Sequence, residues 1–140
     1  MNVLVLLITH QGLGAAMRET VTEIMGDPPL AMACIEPALE ESVEVARQRA
    51  IKTTQQIASQ YDGLLILTDA YGATPSNIAV SVGQHQQAPV IAGLNLPMLL
   101  RVMSYPSLSP NHLAAKALST AEDGITLATP QYAAIHSHSN

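Results

Sequence analysis

The stretch Val3-Leu4-Val5-Leu6-Leu7-Ile8-Thr9-His10-Gln11-Gly12-Leu13-Gly14 decides how the chain is read. Residues 3–9 form an unbroken aliphatic run that contains β-branched residues and is closed by glycines. That is the pattern of a strand buried on both faces of a parallel sheet. Residues 15–25 are helix formers, with apolar Ala16, Val21, Ile24 and Met25 among the charged Arg18, Glu19 and Glu23, and Gly26-Asp27-Pro28-Pro29 stops them.

The alternation continues along the chain. Leu30 to Ile35 reads as a second strand. Beyond Pro37, the near-3.6 spacing of Leu39, Val43, Ala46, Ala50, Ile57 and Ala58 predicts the longest helix, with Glu40, Glu41, Glu44, Arg47 and Arg49 on its wet side. Tyr61-Asp62-Gly63 turns the chain into a third buried strand, Leu64 to Thr68. The loop Asp69-Ala70-Tyr71-Gly72-Ala73-Thr74-Pro75 follows, then a helix from Ser76 to about Val82. Val90 to Leu94 is a fourth strand and Leu96 to Met103 a short helix, while Ser109-Pro110 opens a last helix ending near Glu122. Ile125 to Ala128 is a candidate for one more strand. The expected fold class is α/β with an open, mostly parallel sheet, as a single domain over residues 1–128 followed by a flexible tail at 129–140.

Composition narrows the function. A chain of 140 residues holds one core. With 48% apolar and 12% charged residues it buries that core rather than staying disordered, and no apolar run is long enough for a membrane span. The net charge of -5, with Arg18, Arg47, Arg49, Lys52, Arg101 and Lys116 scattered, argues against a nucleic-acid footprint. The absence of Trp and Phe leaves few platforms for stacking bases. Residues 1–8 carry no basic segment of a secretory signal, so a cytoplasmic protein is expected. Cys34 sits in the apolar run 30–35 and reads as a small buried hydrophobe. His10, His85 and His112 fall in separate elements, and His136 and His138 fall in the tail, so neither a metal site nor a cofactor is expected.

Ligands of open α/β sheets bind beyond the carboxyl ends of the strands. His10 follows the first strand and precedes a glycine-rich turn into a helix, where backbone amides and the helix dipole favour an anion; an imidazole there is suited to carrying a phosphoryl group. Asp69 ends the third strand, ahead of Gly72 for close backbone approach and Thr74 for a hydroxyl donor. A carboxylate of this kind fixes one ring nitrogen of a histidine and leaves the other as nucleophile. By position alone, His10 also fits a polar cap on the sheet, and Asp69 a loop-capping acid. Gly12 and Gly14 lack the third glycine of a dinucleotide fingerprint. There is no Walker A lysine, and the acidic cluster of an aspartyl-phosphate receiver is replaced by Thr9 and His10.

Three segments, in order and spacing, resemble the mannose-type (mannose/fructose/sorbose superfamily) enzyme IIA domain of the bacterial phosphoenolpyruvate:sugar phosphotransferase system. They are Val3 to His10 with a glycine close behind, Asp69-Ala70-Tyr71-Gly72-Ala73-Thr74-Pro75-Ser76-Asn77, and Gly93-Leu94-Asn95-Leu96-Pro97-Met98-Leu99. The likeness covers about residues 1–128. It implies a phosphotransferase in which His10 accepts a phosphoryl group from the histidine phosphocarrier protein HPr and passes it to a IIB component, with the membrane touched only through a IIC permease. It further implies that Asp69 orients His10, that Gly12 and the 72–74 loop cradle phosphate, and that Asn95 and Met98 line the same crevice. Helices on both sheet faces and a homodimer are implied too, with Ile125 to Ala128 as a C-terminal strand exchanged between subunits. The chain departs from the family pattern at Gln11, inserted before the glycine, and at Ala73-Thr74, which replaces Gly-Ser; Thr keeps the hydroxyl. Two alternatives stand beside sugar uptake: a stand-alone regulatory phosphoprotein, and the phosphocarrier subunit of a dihydroxyacetone kinase.

Overall fold

The computed structural model describes residues 1–129. Four strands, β1 (Val3–Ile8), β2 (Ala31–Ile35), β3 (Gly63–Thr68) and β4 (Val90–Ala92), form one parallel sheet in the order β2-β1-β3-β4. Five helices connect or follow them: α1 (Leu13–Met25), α2 (Val43–Ala58), α3 (Thr74–Gln86), α4 (Leu96–Met103) and α5 (Pro110–Asp123). Every residue of β1 is buried because helices cover both faces of the sheet. Val3, Val5, Leu7, Leu65 and Leu67 point to one face and pack with Val21 of α1, Leu99 and Val102 of α4 and Leu113 of α5. Leu4, Leu6, Ile8, Leu64 and Ile66 point to the other and pack with Ala46 and Ala50 of α2 and Ile78 and Val82 of α3. Each fully buried Leu or Ile stabilises the fold by roughly 1.5–3 kcal/mol.

Register positions the site. Ile8 pairs with Ile35 on one side and with Thr68 on the other. The three strands therefore end level, and residues 9–10, 36 and 69 emerge together at the carboxyl edge.

Several boundaries differ from the sequence expectation. Ala38 to Glu41 forms a turn, closed by the Glu41 amide on the Ala38 carbonyl, and the Ser42 hydroxyl then caps α2 by accepting from the Val45 amide. Leu39 is consequently 87% exposed instead of lying on the buried helix face. α3 starts two residues early, with Pro75 in its first turn, and runs to Gln86, where Gln87 takes a left-handed conformation with φ 53. β4 stops at Ala92 because the amides of Gly93 and Leu94 both turn onto the Thr68 carbonyl. The strand expected at Ile125 to Ala128 is not formed: among the described residues this segment pairs with no sheet edge, and Ile125 is 91% exposed. The expected tail, with His136 and His138, lies from residue 130 onward outside the described residues.

Candidate functional site at the sheet switch point

From β1 the chain passes to β2 on one side and later returns to β3 on the other, so the topology reverses between β1 and β3. Crevices at such a reversal are where open α/β sheets hold ligands. His10 and Asp69 leave these two neighbouring strands, 59 residues apart in sequence, and meet there. The Asp69 Oδ2 atom lies 2.7 Å from His10 Nδ1 and also accepts the His10 backbone amide at 2.9 Å. Oδ1 accepts the Ala70 amide at 3.0 Å. The imidazole and its own backbone are thus held by one carboxylate.

Electrostatics fix the proton. Burial pushes the Asp69 carboxyl up, but the hydrogen bonds from the His10 amide, the His10 ring and the Ala70 amide together outweigh it and hold the group below its ordinary value. Against an ionised Asp69, Nδ1 is the nitrogen that donates, so in the neutral imidazole the lone pair lies on Nε2. Asp69 is nearly enclosed, its side chain 10% exposed, whereas that of His10 is 52% exposed and reachable by a partner.

The second half of the site is the start of α3. Gly72 adopts φ +86, a left-handed conformation that lets the loop turn sharply, and its amide reaches Ser76 Oγ at 3.3 Å. The Ala73 amide closes a turn onto the Ala70 carbonyl. α3 has no side-chain cap, and its first-turn amides at Thr74 and Ser76 have no intrahelical partner. Thr74 and Pro75 line a cleft of about 380 Å³ that is bordered by His10 and Gln11 and walled on the far side by Pro37, Leu39, Glu41 and Val43. The Arg49 guanidinium, bonded to both Glu41 oxygens, and the Ala38 amide hold the Glu41 carboxyl down to about 2, so this wall carries a charge-neutralised pair.

The remaining expected residues lie differently. The Gly12 amide is bonded to Glu36 Oε1 at 3.0 Å and so is not open to a phosphate. Asn95 and Met98 line a separate cleft against α5, and neither borders the His10 cleft. Asn95 is the α4 cap, accepting the Met98 amide, and Met98 is buried in the core. Cys34 is half-buried, with its thiol pushed up by burial, which suits packing rather than nucleophilic chemistry. Among the described residues, no three His, Cys, Asp or Glu side chains converge as metal ligands, and no helix is long and apolar enough to cross a membrane.

Sequence reasoning missed Glu36 as a site residue. Its signal was its place directly after a strand, at the same sheet edge as His10 and Asp69.

Fold and site together define an open parallel α/β domain with an exposed imidazole tethered by a carboxylate at the switch point. Residues 4–118 match the EIIA-man family, described as the PTS system fructose IIA component, and the chain belongs to that family. It is 33% identical over 79 residues to the PTS system fructose-specific EIIA component of Bacillus subtilis (strain 168), an alignment covering 56% of this chain and 51% of that one. The chain thus spans about half the length of the curated relative it matches. Among solved structures, it is similar in fold to the mannose/sorbose specific IIA subunit of the phosphotransferase system from Enterococcus faecalis, with TM-score 0.76, 24% identity, and 92% of this chain and 96% of that one covered. The phosphotransferase system component EIIA from Streptococcus agalactiae gives TM-score 0.75 at 19% identity, covering 89% and 96%.

Proposed function

We propose that this protein is a phosphocarrier of the phosphotransferase system, in which His10 takes a phosphoryl group from phospho-HPr and hands it to a IIB component. The observation that carries the reading is the 2.7 Å contact of His10 Nδ1 with the nearly enclosed Asp69 carboxylate, which turns Nδ1 inward on an imidazole whose side chain is otherwise half exposed and makes Nε2 the nitrogen available to a phosphoryl donor. In the transfer, Nε2 attacks phosphorus in line. The new N–P bond forms as the bond to the donor imidazole breaks, and the Nδ1 proton stays on His10, shared with Asp69. The developing positive charge on the His10 ring is met by the carboxylate. The phosphoryl oxygens are met by the amide and hydroxyl of Thr74, which lines the His10 cleft at the positive end of α3, with Gly72 and Ala73 shaping the loop that presents them. Positioning and fixed dipoles supply the catalysis.

The same reading makes the protein a cytoplasmic homodimer in which the unpaired 125–128 segment finds its strand partner on a second subunit. To test the carrier role, the protein is incubated with enzyme I, HPr and radiolabelled phosphoenolpyruvate and then chased with IIB components. Label should enter the wild type, stay out of His10→Ala, and leave when a competent IIB is added. Equal labelling of His10→Ala would defeat the reading.

A further inference from the structure

Around His10 the chain contains a second anion-binding arrangement that is already occupied. Glu36 leaves β2 directly beside the β1 end and reaches across to the start of α1. Its Oε1 accepts the Gly12 amide at 3.0 Å and its Oε2 the Ala15 amide at 2.9 Å. The Gly14 amide between them goes to Thr9 Oγ1 at 2.9 Å. The amides of Gly12, Gly14 and Ala15, the natural anion cradle of a helix N-terminus, are thus all taken by side chains of the protein itself. The packing is shaped for this. A Cβ on Gly14 would stand 3.0 Å from Thr9 Oγ1 and 3.4 Å from Glu36 Oε2, so a side chain there would press on both caps at once. Gly12, at φ +87, turns its amide toward Glu36 in a conformation other residues resist.

We infer that Glu36 is a positioning residue for phosphoryl transfer: as an internal anion it plugs the α1 cradle and clamps the turn from His10 to Ala15, so that the incoming phosphoryl group is left only the α3 side. The inference rests on the phosphocarrier reading and goes beyond it by assigning a division of labour between two helix ends. The carboxylate cancels the positive end of α1. Without it, the Gly12 and Ala15 amides next to the reacting imidazole would compete with α3 for the phosphoryl oxygens and draw the group off the line of transfer. The turn carrying His10 holds the extra residue Gln11, and the two Glu36 bonds, to Gly12 and Ala15, anchor the chain directly after it to the end of β2. Their loss would let the imidazole drift, and a shift of about 1 Å at a reacting atom costs up to about a hundredfold in rate.

The test uses the full chain, 15N-labelled, as wild type, Glu36→Ala and Glu36→Gln. Each is titrated with inorganic phosphate while backbone amides are followed by NMR, and each is assayed for initial rate of phosphorylation across phospho-HPr concentrations. In the wild type, phosphate should move the Thr74 amide and leave Gly12 and Ala15 still. In Glu36→Ala, the Gly12 and Ala15 amides should respond saturably to phosphate, and the maximal rate should fall at least tenfold with little change in KM. Glu36→Gln keeps the bulk of the side chain and one acceptor oxygen, so it should fall between the two; it also stands in should Glu36→Ala not fold. A wild type whose Gly12 and Ala15 amides follow phosphate, or variants that match it in both titration and rate, would overturn the proposal. Failure of the wild type to accept a phosphoryl group at all would instead strike the carrier reading, and the titration would still decide whether Glu36 plugs the cradle.

Discussion

At the scale of single residues, Asp69 is the group on which the proposed chemistry turns. Both of its contacts to His10 run through Oδ2, so Asp69→Asn replaces an acceptor that matches Nδ1–H with an amide that presents either a poorer acceptor or a competing donor. We expect Asp69→Asn to slow phosphoryl transfer by about a hundredfold while circular dichroism stays that of the wild type. An unchanged rate would reduce Asp69 to a loop cap. The same carboxylate adds to acid sensitivity. Because its folded value is depressed, the stability it contributes is present above the unfolded value of 3.8 and is lost as pH falls through the folded one. Urea midpoints of wild type and Asp69→Asn should therefore differ at neutral pH and draw together below pH 4. Parallel curves across that window would mean that the Asp69 hydrogen bonds do not favour its charged form.

Secondary-structure elements place these residues, and their packing sets tolerance to change. Gly83 lies inside α3 where a Cβ would come within 2.4 Å of Val90 Cγ2 and 3.0 Å of the Ala88 carbonyl. A glycine to alanine change inside a helix ordinarily gains up to about 1 kcal/mol, but Val90 is β-branched and stiff and the carbonyl belongs to the backbone. Gly83→Ala should thus be destabilising, by about 1–3 kcal/mol, read as a lowered Tm. At this scale much was legible in advance. Buried parallel strands are continuous aliphatic runs, so β1 and β3 are visible in the sequence, and with them His10 and Asp69 as the residues that follow. The start of α2 was hidden because Leu39 keeps helical spacing with Val43, while the deciding feature is the Ser42 hydroxyl, whose capping bond breaks the pattern locally. Glu36 was hidden for a different reason. Its partners Gly12 and Ala15 lie 24 and 21 residues away, and only the β1–β2 register brings them within reach.

For the molecule as a whole, the sheet order β2-β1-β3-β4 does what no single motif does: it puts the carboxyl ends of β1 and β3 side by side and makes a site of their trailing residues. Alternating strands and helices indicate a parallel sheet, but the placement of Asn95 and Met98 in a different cleft depends on how α4 and α5 pack, which spacing along the chain does not encode. Ile125, just beyond α5, is 91% exposed, and the proposed strand pairing between subunits would cover it. Sedimentation of the wild type should show a dimer, and Ile125→Asp should shift it toward monomer with the fold retained. A monomeric wild type would remove the exchanged strand from the account.

The most direct measurement is the nitrogen that carries the phosphoryl group. After phosphorylation with enzyme I, HPr and phosphoenolpyruvate, 15N-edited NMR of the His10 ring should show phosphorus bonded to Nε2 and the proton retained on Nδ1 against Asp69. A phosphoryl group on Nδ1, on another residue, or on none would contradict the account at its centre.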